Sequence, residues 1–146
     1  YVGVGGEYTF KVSLIAYSYI TLNLSKMTKI ETVPQEALRL LSEIPEKEFI
    51  VNEFTNGENK CCAIGHYERL KSENPDDYSL NNCADIYTQS HGRKLRDITG
   101  EYIRQKYDIH GTIAFVNNSD DVNGYNQKTA KARVIALLKD MVKDGY

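Results

Sequence analysis

Two thiols and an imidazole lie close together in the segment Cys61-Cys62-Ala63-Ile64-Gly65-His66. A thiolate activated by an imidazole is a nucleophile, and an amide can orient the imidazole. Cys62, His110 and Asn117 follow one another in the order cysteine, base, amide that some thiol proteases use. Cys62 lies at a predicted helix start, where the helix dipole favours the thiolate. One hypothesis is therefore a cysteine-dependent hydrolase with catalytic Cys62, His110 and Asn117.

The same cysteines have two other interpretations. Cys62 and His66, with Cys83 and His91, provide the four ligands of a zinc site, but Cys83 and His91 lack the short spacing that structural zinc sites show. Free cysteines are more often small apolar core residues. We favour the core interpretation and predict no metal and no cofactor. Three cysteines cannot all pair, which indicates a reducing, cytoplasmic compartment.

A different chemistry is suggested by cations at two predicted helix starts. Positive side chains there oppose the helix dipole unless an anion lies beside them, whereas free backbone amides and a capping hydroxyl can hold phosphate. Solvated side chains paired with acidic neighbours are the alternative. The residues that we predict to bind a ligand are Arg93, Arg96, Thr129, Lys131 and Arg133.

Composition limits the classes of partner. A formal charge of −2 and a pI near 5.9 argue against general nucleic-acid binding, which depends on surplus Lys and Arg. Residues 8–24 carry little charge but are studded with Ser, Thr, Tyr and Asn, which argues against a membrane span. We expect an acidic protein or a phosphate-bearing small ligand as partner, and the sequence leaves homo-oligomerisation open.

Apolar periodicity predicts an α+β fold, a single small domain in which a small antiparallel sheet packs against four to five helices. Helices are predicted to begin at Pro34, Ala63, Arg93 and Ala130, and a short helix at 84–87. Predicted strands are Phe49–Thr55 and Ile109–Val116, and Asn56-Gly57 is a strong hairpin signal. Thr32, Pro34 and Gln35 form the pattern of a capping box.

The N-terminal stretch is predicted to be separate. Residues 1–26 are strand-like, and the first methionine is Met27. We expect residues 1–26 to be either an appendage upstream of the natural start or part of a truncated longer protein. We assign residues 27–146 to the α+β domain.

Two motifs resemble a group of small, functionally uncharacterised bacteriophage and bacterial proteins. They are the segment Asn56-Gly57 to His66 and the pattern that joins Phe115-Val116-Asn117-Asn118 to the last helix. The similarity covers 32–146. The resemblance implies a small cytoplasmic accessory protein of a bacterial host cell, encoded by a phage, and it implies no particular activity. Taken together, we expect a binding or interaction module, with the hydrolase as the alternative.

Overall fold

The computed structural model describes residues 30–53, 55–56, 60–72, 90–122 and 124–146. Residues 32–146 form one compact unit. The described elements are helices α1 (Val33–Ser42), α2 (Ala63–Lys71), α3 (Ser90–Tyr107), α4 (Ile113–Asn118) and α5 (Ala130–Lys143), with a 3-10 turn at Glu46–Glu48. The boundary predicted between residues 26 and 27, the short helix at 84–87 and Gly57 of the hairpin signal lie outside the described residues.

The predicted helix starts at Ala63 and Ala130 are confirmed, the first helix begins one residue before Pro34, and the third begins three residues before Arg93. At α1 both halves of the capping box form, because Gln35 N donates to Thr32 Oγ1 and Thr32 N donates to Gln35 Oε1. Pro34 lies in the first turn, where no helical N–H is needed. These local signals are sufficient to place a helix.

The prediction of an α+β fold is wrong, because the described part of the chain is helical and contains no sheet. The expected strand Phe49–Thr55 makes only isolated bridges, Phe49 with Cys61 and Thr55 with Cys61. Side chains take the backbone groups that a neighbouring strand would have paired. Asn117 Nδ2 donates to Ile50 O at 2.8 Å, and Asn52 N donates to Asn118 Oδ1 at 2.9 Å.

The prediction of a second strand at Ile109–Val116 is also wrong. Its apolar part is the short helix α4, capped by Thr112, whose Oγ1 accepts from Ala114 N at 3.2 Å. Ile113 N donates to Thr99 Oγ1 at 3.1 Å, which attaches the helix start to α3. A run of four apolar residues fits a buried helix turn as well as a strand, and periodicity cannot separate the two.

The core lies where α5 packs against α1 and α4, and where α2 packs against α3. Its largest buried side chains include Leu41, Ile64, Tyr67, Tyr102, Tyr125, Leu137, Leu138 and Met141. Gly100 lets α3 approach the turn before α4, since a Cβ there would lie 3.3 Å from Thr112 Cγ2 and 3.4 Å from Gly111 O. None of the described helices is long and apolar enough to cross a membrane.

Candidate functional site

The start of α5 already has a carboxylate beside it. Thr129 is the N-cap, and its Oγ1 accepts from Ala132 N at 3.2 Å. The same hydroxyl donates to Glu46 Oε1, which comes from the turn after α1. Glu46 is exposed and places negative charge at the positive end of the helix, where the dipole favours it.

Lys131 binds the carboxyl end of a neighbouring helix. Its Nζ donates to Ser42 O at 2.8 Å and to Ile44 O at 2.7 Å, the carbonyl groups at the carboxyl end of α1. A cation at that end of a helix is favoured by the dipole and satisfies carbonyl groups that have no helical partner. Lys131 is therefore a C-terminal cap of α1, although its own position in α5 is unfavourable.

Arg133 has the same role toward α4. Its side chain is 6% exposed, and its guanidinium donates to Val116 O at 2.8 Å, Asn117 O at 2.7 Å and Gln127 O at 2.9 Å. The first two carbonyl groups end α4. The cations that oppose the dipole of α5 thus stabilise the ends of two other helices.

The start of α3 is arranged differently. The helix begins at Ser90, so Arg93 is its fourth residue and is exposed. The amide of Gly92 donates to Glu68 Oε2, and Glu68 is only 3% exposed. Arg96 forms an ion pair with Asp97, with Nη2 and Oδ1 3.0 Å apart. A carboxylate of the protein itself thus lies at this helix start as well.

A groove of about 730 Å³ separates the segment after α1 from the start of α5. Phe49, Ile50 and Val51 of that segment line the groove, as do Thr129 and Ala130. Lys47, Lys128 and Arg133 also line the groove, and Lys47 and Lys128 are exposed. Glu46 and Glu53 line it too, so the charge of the groove is mixed. The groove therefore combines apolar side chains with three cations and two carboxylates.

Two large apolar side chains, one of which lines this groove, are exposed. Val51 is 44% exposed and Phe115 is 60% exposed. Asn118 of α4 accepts from Asn52 N, and Phe115 lies three residues before Asn118, so both side chains leave the same face of α4. Val51 lines the groove, and exposed aromatic residues such as Phe115 are common in protein interfaces.

The three residues of the hydrolase hypothesis are only partly brought together. Asn117 Oδ1 accepts from Ala63 N at 3.1 Å, so Asn117 caps α2 directly after Cys62. Cys62 is 5% exposed, and burial raises the pKa of its thiol to about 11. His110 is exposed in the turn before α4, and no hydrogen bond among the described residues joins it to Cys62 or Asn117.

The imidazole that the structure does place beside a cysteine is His66. Its Nε2 lies 2.8 Å from Glu48 O and therefore carries the proton, while Nδ1 lies 3.3 Å from Arg69 Nη2 and accepts. Burial lowers the pKa of His66 to about 4, and the Arg69 charge acts in the same direction. Burial also raises the pKa of Cys61. The buried, neutral imidazole of His66 thus joins α2 to the segment at Glu48, and the buried thiol of Cys61 stays protonated.

Among the described residues, no three His, Cys, Asp or Glu side chains are grouped closely enough to hold a metal ion. Cys83 of the zinc alternative lies outside the described residues. His66 uses both ring nitrogens in the hydrogen bonds to Glu48 and Arg69.

Sequence reasoning missed Glu46 and Glu68, the two carboxylates that lie at the helix starts. Glu46 follows the proline that ends α1, and Glu68 has the sequence appearance of a surface residue of α2. Nothing local in the sequence separates Glu68 from an exposed glutamate, because its burial results from the packing of α2 on α3.

A comparison of the chain with known protein families, with curated proteins and with solved structures found no match.

Proposed function

We propose that this protein is a binding module that holds an acidic segment of a partner protein in the groove between residues 47–51 and the start of α5. The observation that carries the proposal is the groove itself, which brings apolar Phe49, Ile50 and Val51 together with exposed Lys47 and Lys128. An apolar centre with a charged rim is the usual composition of a protein interface.

The choice of an acidic protein over a phosphate-bearing small ligand follows from the contacts of the predicted binding residues. Thr129 bonds Glu46, Lys131 bonds the end of α1, and Arg133 bonds the end of α4. These groups would have to give up internal partners to bind a phosphate. The exposed lysines and the apolar surface at Val51 and Phe115 are accessible without such a change.

We place this module in the cytoplasm of a bacterial host, as a small accessory protein encoded by a phage. The resemblance of the two sequence motifs supports this assignment. Cys61 and Cys62 are free thiols, which suits a reducing compartment. The alternative hydrolase receives no support from the positions of Cys62 and His110.

The test uses a peptide of defined chemistry. A synthetic peptide of glutamate and leucine is titrated into the isotopically labelled full chain, and amide shifts are followed by NMR. We expect the shifts to concentrate at Lys47, at 49–51 and at 128–130. The double variant Lys47→Glu, Lys128→Glu should weaken binding about tenfold, because two attractions become repulsions.

The matched control is Lys94→Glu, which reverses an exposed charge at the start of α3 and leaves the groove intact. This variant should bind the peptide as the wild type does. Equal binding by the double variant, or shifts centred on Arg93 and Arg96, would overturn the assignment of the groove.

A further inference from the structure

The groove depends on a short backbone segment that belongs to no sheet in the described part of the chain. Phe49, Ile50 and Val51 line the groove, and Phe49 pairs with Cys61 through an isolated bridge. Irregular backbone presents a fixed surface only where its polar groups have partners elsewhere in the fold. The partners of residues 50 and 52 that lie in α4 are therefore of interest for the shape of the groove.

Asn117 holds this segment from the core. It is fully buried, its Nδ2 donates to Ile50 O at 2.8 Å, and its Oδ1 accepts from Ala63 N at 3.1 Å. A backbone N–H only donates and a carbonyl oxygen only accepts, so these two contacts fix the orientation of the amide. The backbone carbonyl of Asn117 accepts from Arg133 Nη2 at 2.7 Å, and Arg133 also lines the groove.

Asn118 holds the next turn of the chain. Its Oδ1 accepts from Asn52 N at 2.9 Å and from Asn117 Nδ2 at 2.9 Å. Asn52 has a φ of 63°, a left-handed conformation that asparagine tolerates better than most residues other than glycine. The chain therefore changes direction directly after Val51, at a residue whose amide is bonded to Asn118. Asn118 itself is exposed and is not among the residues that line the groove.

We infer that Asn118 is a positioning residue of the groove, which fixes the turn at Asn52 and thereby the segment 49–51 that receives the partner. The inference rests on the proposed function and adds a residue that acts on binding without lining the groove. A segment that is already fixed does not have to be ordered when the partner binds, which favours affinity.

The experiment compares Asn118→Ala with Asn118→Asp. Aspartate keeps an acceptor oxygen for Asn52 N and Asn117 Nδ2, whereas alanine removes it. Because Asn118 is exposed, both variants should stay folded, and urea denaturation checks this. In the full chain without peptide, amide hydrogen exchange followed by NMR should be about tenfold faster at Asn52 in Asn118→Ala and close to the wild-type rate in Asn118→Asp.

Fluorescence anisotropy with the glutamate and leucine peptide gives the Kd of each folded variant. Asn118→Ala should raise Kd about fivefold, because the loosened segment must be ordered on binding. Asn118→Asp should return Kd to within about twofold of the wild type, since a single exposed charge outside the groove has little effect. The matched control is Ser119→Ala, which removes the hydroxyl that accepts from Asp121 N and makes no change at residues 50–52.

The outcomes separate the inference from the proposed function. The positioning role is wrong if Asn118→Ala leaves exchange at Asn52 or Kd unchanged, if Asn118→Asp does not restore Kd, or if Ser119→Ala weakens binding equally. In each of these cases the proposed function still stands when Lys47→Glu with Lys128→Glu raises Kd. If the wild type does not bind the peptide, or the double lysine variant binds it equally well, both are wrong.

Discussion

The starts of α3 and α5 carry a similar sequence pattern, cations near the first turn of a helix, but the structure arranges their charges in opposite ways. At α3 the anion is inside, because Glu68 is 3% exposed, and Arg93 is outside. At α5 the cation is inside, because Arg133 is 6% exposed, and Glu46 is outside. A pattern of charges in sequence therefore does not say which sign faces solvent.

The difference has a physical origin in what each helix packs against. The end of α4 presents carbonyl groups to α5, and these attract a guanidinium. The start of α3 presents an amide to α2, and this attracts a carboxylate. Buried charge is stable only where such a partner exists. The charges that remain exposed are those available to a binding partner.

The largest expected effect comes from the buried cation of α5. Arg133→Met removes hydrogen bonds to three carbonyl groups and leaves buried acceptors unpaired, so we expect a loss of about 4 kcal/mol in the free energy of unfolding. Urea denaturation of the full chain measures it. Lys128→Met, at an exposed position, should change stability by less than about 0.5 kcal/mol. Equal losses in the two variants would contradict the assignment of Arg133.

The next largest effect is a pH dependence of stability that comes from His66, a buried residue of α2, the helix that also carries Glu68. Burial lowers the pKa of His66 from 6.5 to about 4, so the unfolded chain binds the proton more readily than the folded chain. The contribution of neutral His66 to the free energy of unfolding is fully present above pH 6.5. It is lost as pH falls toward 4, by roughly 3 kcal/mol. We expect the unfolding free energy of the wild type to fall more steeply over this range than that of His66→Gln. Parallel pH profiles would show that the imidazole is not held neutral.

A smaller effect is expected at Glu68, the buried carboxylate of α2 that lies at the start of α3. Glu68→Ala leaves the buried amide of Gly92 without its acceptor, which should cost about 2 kcal/mol. Glu68→Gln retains an acceptor oxygen and loses only the charge, so it should cost about half as much. Thermal or urea unfolding of both variants provides the comparison. Unchanged stability in Glu68→Ala would mean that Glu68 does not compensate this helix start.

The smallest effect is expected at Glu46, the exposed carboxylate beside the start of α5. Glu46→Ala removes a solvent-exposed carboxylate, and Thr129 still caps Ala132, so the loss should be about 0.5 kcal/mol. The ratio of the losses in Glu68→Ala and Glu46→Ala measures the difference between the two helix starts directly. A loss at Glu46 as large as that at Glu68 would remove the distinction between a buried and an exposed anion.

Local signals in the sequence were sufficient for the helices but not for the fold class. Thr32 with Gln35 predicts α1, and Thr129 with an apolar stripe predicts α5, because caps and periodicity act within one turn. The strand predictions were wrong because short apolar runs do not distinguish strand from buried helix, and because Asn117 and Asn118 take the backbone groups of 50–52.

The candidate site was less predictable than the helices. The unfavourable position of Lys131 and Arg133 in α5 is visible in the sequence, and it correctly indicates that something compensates them. The compensating groups are carbonyl groups of other helices, and for Lys131 they lie 89 and 87 residues away in the chain. The groove and the exposure of Phe115 likewise depend on how the helices meet.

Lys131 and Arg133 leave α5 two residues apart and end on two different helices, α1 and α4. Fraying of the first turns of α5 would release the last turns of both helices in one step. These three helix ends should therefore behave as a single cooperative unit in native-state hydrogen exchange, with amides of α1 and α4 sharing one opening free energy.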